Sequence, residues 1–244
     1  VEGIGANLSS RLINSRSQFD YRAVEEKLDK FGVKVVTLTD KCYPKSLKEI
    51  YNPPFVLYYR GNLEDLMRPC AAIVGTRKCT DYGREVARKL GRQLAQRGIP
   101  VVSGLARGID TAAHRGALET GVTYAILGCG LDTAYPPENE KLIEKIASQG
   151  GVLSPYPLGE EPLAENFPPR NRIISGLAQV VIVVEAAQKS GSLITANFAL
   201  EQGREVLAVP GDITRRQSVG TTQLIKDGAG LVRTTKDVLA ELPV

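Results

Sequence analysis

The sequence has no tryptophan, one methionine and one histidine, His114. A lone histidine with four scattered cysteines, Cys42, Cys70, Cys79 and Cys129, and no Cys-x-x-Cys pair leaves no ordinary Cys/His zinc site. Nor do the cysteines suggest a disulfide scaffold; unpaired thiols in apolar surroundings fit a reducing compartment. No apolar run approaches the ~18 residues of a membrane span and no signal peptide precedes the fold, so a cytoplasmic protein is expected. A Walker A loop is missing, and no Ser/His/Asp or Cys/His pattern stands out. The excess of 31 Lys and Arg over 27 Asp and Glu is a mild basic bias that does not by itself imply nucleic acid. No metal and no cofactor are expected.

What is present is enough apolar sequence, 43% of 244 residues, to bury a sizeable core. Two regions separate near residue 65. Residues 1–64 read as a helical and linker region with two lead-in strands. "DYRAVEEKLDKFG" is a helix with Asp20 as N-cap and Gly32 as stop, in which Val24, Leu28 and Phe31 recur at helical spacing. "VKVVTL" and "FVLYYRG" are the two strands. The pair Gly3 and Gly5, ahead of a short helix, resembles a helix-hairpin-helix loop, though paired glycines in loops are common.

Residues 65–244 alternate strand, loop and helix. "CAAIVGT", "IPVVSG", "TYAILGCG", "VLSPY", "AQVVIVVEA" and "EVLAVPG" are continuous apolar runs, the mark of strands covered on both faces, and "GLVRT" is a last edge strand. Amphipathic helices between them give right-handed crossovers and a mostly parallel sheet. The expected fold is α/β, a Rossmann-like doubly wound domain with a small N-terminal α+β appendage.

In such sheets ligands bind beyond the carboxyl ends of the strands. The residues just after the strands are "GTRK" with Arg77, "SGLARGID" with Ser103, Gly104, Arg107 and Gly108, "FPPRNR" with Arg170, Asn171 and Arg172, and "AQKSGSLIT" with Lys189, Ser190, Gly191, Ser192 and Thr195. Each loop brings a cation, and glycines and helix starts expose backbone N–H groups to an anion. The double proline reads as a breaker, so "FPPRNR" is expected to be a loop with a short helix from about Ile173 to Ala178. A dinucleotide is disfavoured, because Gly104 and Gly108 are spaced GxxxG rather than GxGxxG. His114, four residues after Asp110, suggests a buried Asp–His hydrogen bond tying down a helix start. Glu185, after the strongest strand, is either a general base or a partner of Arg170 or Arg172; the pairing is favoured.

Six motifs in order, "PPFVLYYRG", "AAIVGTRKCTDYG", "VVSGLARGIDTAAHRGAL", "AILGCGLDTAYPPEN", "FPPRNRIISGLAQVVIVVEAAQKSGSLITANFALEQGREVLAVPG" and "GTTQLIKDGA", resemble the DNA-processing protein A (DprA/Smf) family from about residue 53 to about residue 232. Pro155 and Thr222 depart from the pattern, standing where Glu and Asn are usual. The resemblance implies a cytosolic bacterial homodimer that binds and protects incoming single-stranded DNA and helps load the RecA recombinase during natural transformation, without catalytic turnover. It also implies a winged-helix domain for which this chain leaves too little room. Carried over residue by residue, the phosphate contacts are Arg77, Ser103, Gly104, Arg107, Gly108, Arg170, Asn171, Arg172, Lys189, Ser190 and Gly191. Phe167, Tyr135 and Tyr156 are the aromatics available to stack on bases. Asp110, His114 and Glu185 are expected to be structural supports. A competing reading is a nucleotide-binding enzyme of the nucleoside monophosphate hydrolase type, with Glu185 as base. A third is a scaffold whose C-terminal Leu224, Ile225, Leu231, Val238, Leu239 and Leu242 join two copies or simply pack in the core.

Overall fold

A computed structural model describes residues 5, 7, 9–11, 13, 14 and 20–242; Gly3, and with it the glycine-pair motif, lies outside the described residues. The helix α1 (Tyr21–Phe31) starts where Asp20 accepts from the Ala23 amide at 3.1 Å and stops at Gly32, whose φ of +60° few other residues adopt. Val24 stays exposed, while Leu28 and Phe31 pack on the core. Strands β1 (Lys34–Thr37) and β2 (Val56–Gly61) flank a single-turn helix α2 (Lys45–Lys48). The alternation then begins, with β3 (Ala71–Val74), α3 (Asp81–Ala95), β4 (Val101–Ser103), α4 (Ile109–Ala117), β5 (Thr123–Ile126), α5 (Glu140–Gln149) and β6 (Gly151–Ser154). After α6 (Phe167–Leu177) come β7 (Val180–Val183), α7 (Gly191–Glu201), β8 (Glu205–Ala208), α8 (Val219–Lys226), β9 (Gly230–Leu231) and α9 (Thr235–Leu239).

The nine strands form one sheet in the order β1-β2-β6-β5-β4-β3-β7-β8-β9. From β6 to β9 every pair is parallel, whereas β1 and β2 add to the β6 edge as antiparallel strands. The two strands before residue 65 therefore belong to the same sheet as the rest. The uniform apolar runs have a direct physical use. On β3 and β7, Ala72, Val74, Val181 and Val183 face a core closed by α6 and α7, and Ala71, Ile73, Val180 and Ile182 face the opposite core under α3 and α4. Each fully buried Val, Ile or Leu contributes roughly 1.5–3 kcal/mol, which makes these central strands the best-anchored part of the chain. Among the described residues no helix is long and apolar enough to cross a membrane.

The chain leaves β3 toward β4, β5 and β6 on one side and returns through β7 on the other. The order of the sheet thus reverses between β3 and β4 on one flank and β7 on the other, and a crevice opens there beyond the strand ends.

One sequence expectation fails here. The "FPPRNR" segment is not a loop: α6 begins at Phe167, with Pro168 and Pro169 in its first turn. The first four N–H groups of any helix lack intrahelical acceptors, so a proline there loses no hydrogen bond and its fixed φ suits the turn.

Candidate nucleic-acid interface

The crevice at the reversal point is an open groove of about 550 Å³. Its walls are the turn after β3 (Gly75, Thr76, Arg77), the start of α6 (Phe167, Arg170, Asn171) and the start of α7 (Ser190, Gly191, Ser192). A strap through Pro162 and Ala164, with Tyr135, also lines it. Among the described residues the only carboxylate lining it is Asp110, which is buried.

Beginning α6 at Phe167 changes the roles of its two arginines. At roughly 100° per residue, positions 170 and 172 point about 200° apart, so they cannot serve one ligand. Arg170 turns inward and is 4% exposed. Its Nη1 donates to the carbonyl of Gly104 at 2.5 Å and to that of Ile126, and its Nε donates to Asn171 Oδ1 at 3.2 Å. Burial pulls its pKa down to about 10, with Asp110 opposing and Arg77 reinforcing the shift, and it remains charged at neutral pH. Arg172 turns the other way and donates to the Tyr51 carbonyl at 3.3 Å, outside the groove.

Arg77 is the exposed cation of the groove. Its guanidinium stands 5.3 Å from the centre of the Phe167 ring, and it forms no ion pair among the described residues. Arg170 lies 5.5 Å from the same ring and Tyr135 stacks at 5.7 Å, so Phe167 is the hub of the apolar floor. Tyr156 is not part of it; its hydroxyl donates to the Asn166 carbonyl at 3.1 Å.

The β4–α4 loop is packed rather than open. Asp110 Oδ2 accepts from the Gly104 and Ala106 amides at 3.1 and 3.4 Å. Burial raises its pKa to about 6, with Arg170 and the amides working against the rise. Gly104 has no room for a side chain: a Cβ would sit 2.6 Å from Arg170 Nη1 and 2.9 Å from Asp110 Oδ2. Gly108, at φ +79°, lies against the carbonyls of Thr76 and Arg77. Ser103 gives its hydroxyl to the Ile73 carbonyl at 2.6 Å, and Arg107 pairs with Glu138, Nη2 to Oε2 at 3.0 Å. None of Ser103, Arg107, Gly108 and Lys189 lines the groove, and Gly104 lines only a small cavity beneath it. Lys189 is exposed on the β7–α7 loop.

Two expected pairings are replaced. His114 does not bond Asp110; its Nδ1 meets Thr123 Oγ1 at 2.8 Å, and that hydroxyl donates onward to the Val101 carbonyl at 2.7 Å. Thr123 spends its proton on Val101, so His114 must carry its hydrogen on Nδ1, and burial holds the ring neutral by lowering its pKa to about 3. Glu185 pairs with neither arginine. Its two carboxylate oxygens accept from the Thr80 amide at 2.9 Å and the Thr80 hydroxyl at 2.5 Å, and Thr80 in turn accepts from Gly83 to cap α3. Glu185 therefore fastens the start of α3 to the end of β7, outside the groove.

Sequence reasoning missed Thr76 and the strap. Thr76 was open to discovery, since it lies two residues beyond β3; the strap was not, because only the folded chain brings Pro162 and Ala164 to the groove.

The groove offers exposed positive charge, an aromatic floor, and hydroxyl, amide and backbone donors from α6 and α7. That combination suits a polyanion carrying flat apolar groups. The sequence model of the family DNA recombination-mediator protein A matches residues 34–243. DNA processing protein DprA of Streptococcus pneumoniae is 46% identical over 225 residues, 92% of this chain and 79% of the relative. Protein Smf of Escherichia coli is 48% identical over 210 residues, 85% of this chain but 56% of its own length. In three dimensions the chain resembles the X-ray structure of the pneumococcal protein, with a TM-score of 0.87 and 44% identity over 95% of this chain and 81% of that one. DNA processing protein A from Helicobacter pylori, solved to explain its single-stranded DNA binding mode, gives a TM-score of 0.77 and 33% identity over 85% and 94% of the two chains. A molybdenum cofactor binding protein from Rippkaea orientalis, 18% identical with a TM-score of 0.50, shares the fold alone.

Proposed function

The chain belongs to the DNA recombination-mediator protein A family, and from that premise we propose that its groove holds the phosphate backbone of single-stranded DNA. The observation that carries the reading is Arg77: exposed, without a carboxylate partner among the described residues, and poised over Phe167 in the crevice. Single strands are held by positive grooves with aromatic platforms, and such binding is indifferent to sequence because every base has a stacking face. Asn171, Ser190 and Gly191 supply neutral donors along the same wall. Asn171 Nδ2 already reaches the Gly191 carbonyl at 3.3 Å, which ties α6 to the start of α7 and sets the width of the groove.

The reading is of a binding protein rather than an enzyme. Glu185, the candidate base of the nucleotide-hydrolase alternative, has both oxygens taken by Thr80 and lies away from Arg77 and Phe167. The family name supports a recombinase such as RecA as the partner to which a bound strand is passed, in the cytoplasm. A second copy of this chain is the other proposed partner. Of the six C-terminal apolar residues, Val238 and Leu242 are core and Leu231 is 42% exposed on the edge strand β9, so light scattering across protein concentration is the check on dimer formation.

The test of the groove is fluorescence anisotropy with a labelled oligothymidylate across a salt series. Affinity should fall steeply with salt, and Arg77→Ala should weaken binding by about 1.5–3 kcal/mol, the range for a charged hydrogen bond, while thermal stability stays within about 0.5 kcal/mol. Unchanged affinity in Arg77→Ala would remove the groove as the site.

A further inference from the structure

A second and larger concavity, about 1280 Å³, begins where the groove ends and shares Arg77 with it. It runs as a trench over α4, walled by α3 on one side and α5 on the other. Thr111, Ala112 and Arg115 of α4 line it, and α3 and α4 approach so closely beside it that a Cβ on Gly116 would lie 2.0 Å from the Arg88 carbonyl.

The charge of that channel is one-sided. Lys78, Arg115, Lys141 and Lys145 are exposed along it and form no ion pair among the described residues. The lining carboxylates are Glu119 and Glu138, and both are taken, by Arg88 and Arg107 respectively. Lys141 and Lys145 are one helical turn apart on α5, so they form a single row facing the trench. Like charges held side by side cost stability by a few tenths of a kcal/mol in a helix, and neither lysine of the row forms an ion pair among the described residues.

We infer that the trench over α4 is the continuation of the single-strand path, holding the phosphates of DNA that leaves the groove at Arg77. This rests on the groove reading above. Continuity favours a single strand over a separate acidic protein, since Arg77 belongs to both surfaces. The ten residues of α5 span about 15 Å, the length of a few nucleotides of one strand, and Lys141 and Lys145 stand along that length.

The test compares two oligothymidylates, one of about five nucleotides and one of about twenty, bracketing common single-strand site sizes. The protein variant is the triple substitution Arg115→Ala, Lys141→Ala, Lys145→Ala, all exposed positions outside the groove. The wild-type protein should bind the long oligomer more tightly and with a steeper salt slope. The triple variant should lose about tenfold or more in affinity for the long oligomer at low salt, with its salt slope reduced by about two, because each single-strand phosphate contact contributes about 0.7 to the slope. Binding of the short oligomer should not change. The variant Lys141→Arg, Lys145→Arg should keep the long-oligomer affinity, which separates charge from packing. If the triple variant binds the long oligomer as the wild type does, or loses only affinity for a duplex of equal length, the trench proposal is overturned and the groove stands. If the wild type binds neither oligomer, the groove reading falls as well.

Discussion

The β4–α4 and β7–α7 loops flank the same reversal of the sheet, have similar glycine-and-cation sequences, and are built for opposite purposes. In the first, the charge and the glycines are used internally: Gly104 makes way for Arg170, Asp110 gathers two amides, and Arg107 is spent on Glu138. In the second, Lys189 is exposed, Ser190 caps α7, and a Cβ on Gly191 would meet nothing within 4 Å. A basic, glycine-rich loop can thus be locked into the fold or left open at the surface, and its composition does not say which. The partners of its cations do.

The sharpest way to break this contrast is to remove Arg170. Arg170→Ala leaves the Gly104 and Ile126 carbonyls without their donor and Asp110 without its nearest positive charge, and should cost about 3–5 kcal/mol in urea unfolding. A loss below about 1 kcal/mol would mean that Arg170 is a surface contact after all.

The glycines give the next contrast. Gly108→Ala should destabilise by about 1–3 kcal/mol, because φ of +79° strains any side chain and its Cβ would press on the Thr76 and Arg77 carbonyls. Gly191→Ala, in the first turn of α7, should leave stability unchanged or raise it by up to about 1 kcal/mol. Equal effects at the two positions would erase the distinction between the loops.

A smaller effect reads the foundation through pH. His114 is neutral in the folded state down to about pH 3 but takes a proton near 6.5 once unfolded. Its contribution is therefore present above pH 6.5 and lost as pH falls, by up to about 1.4 kcal/mol per pH unit. Asp110 works in the opposite sense: protonated in the fold up to about pH 6, it contributes fully below its ordinary value of 3.8 and is lost as pH rises through 6. In His114→Gln only the Asp110 contribution remains, so stability should hold level or increase as pH falls from 7 to 5, whereas the wild-type protein should not show that gain. Identical pH profiles would show that the buried ring is not the titrating group.

The strands, their order of appearance and the cap at Asp20 were legible because burial on both faces and capping leave local marks in the sequence. The start of α6 was not. A double proline breaks a helix interior but suits a first turn, and only the surrounding packing says which applies. That one misplacement carried into the site, for it made Arg170 and Arg172 look like neighbours on a loop instead of opposite faces of a helix. The partner of Glu185 was hidden for a different reason: Thr80 is 105 residues away, and nothing local marks the pair. Arg77 was visible from its position just after a buried strand, and the proposed site rests on it most.

Arg170 has one more consequence. Its guanidinium is drawn down between the ends of β4 and β5, held by the Gly104 and Ile126 carbonyls with Phe167 beside it. A strand lying in the proposed groove would meet a positive charge whose side chain is already immobile, so no rotamer freedom would be lost there on its arrival.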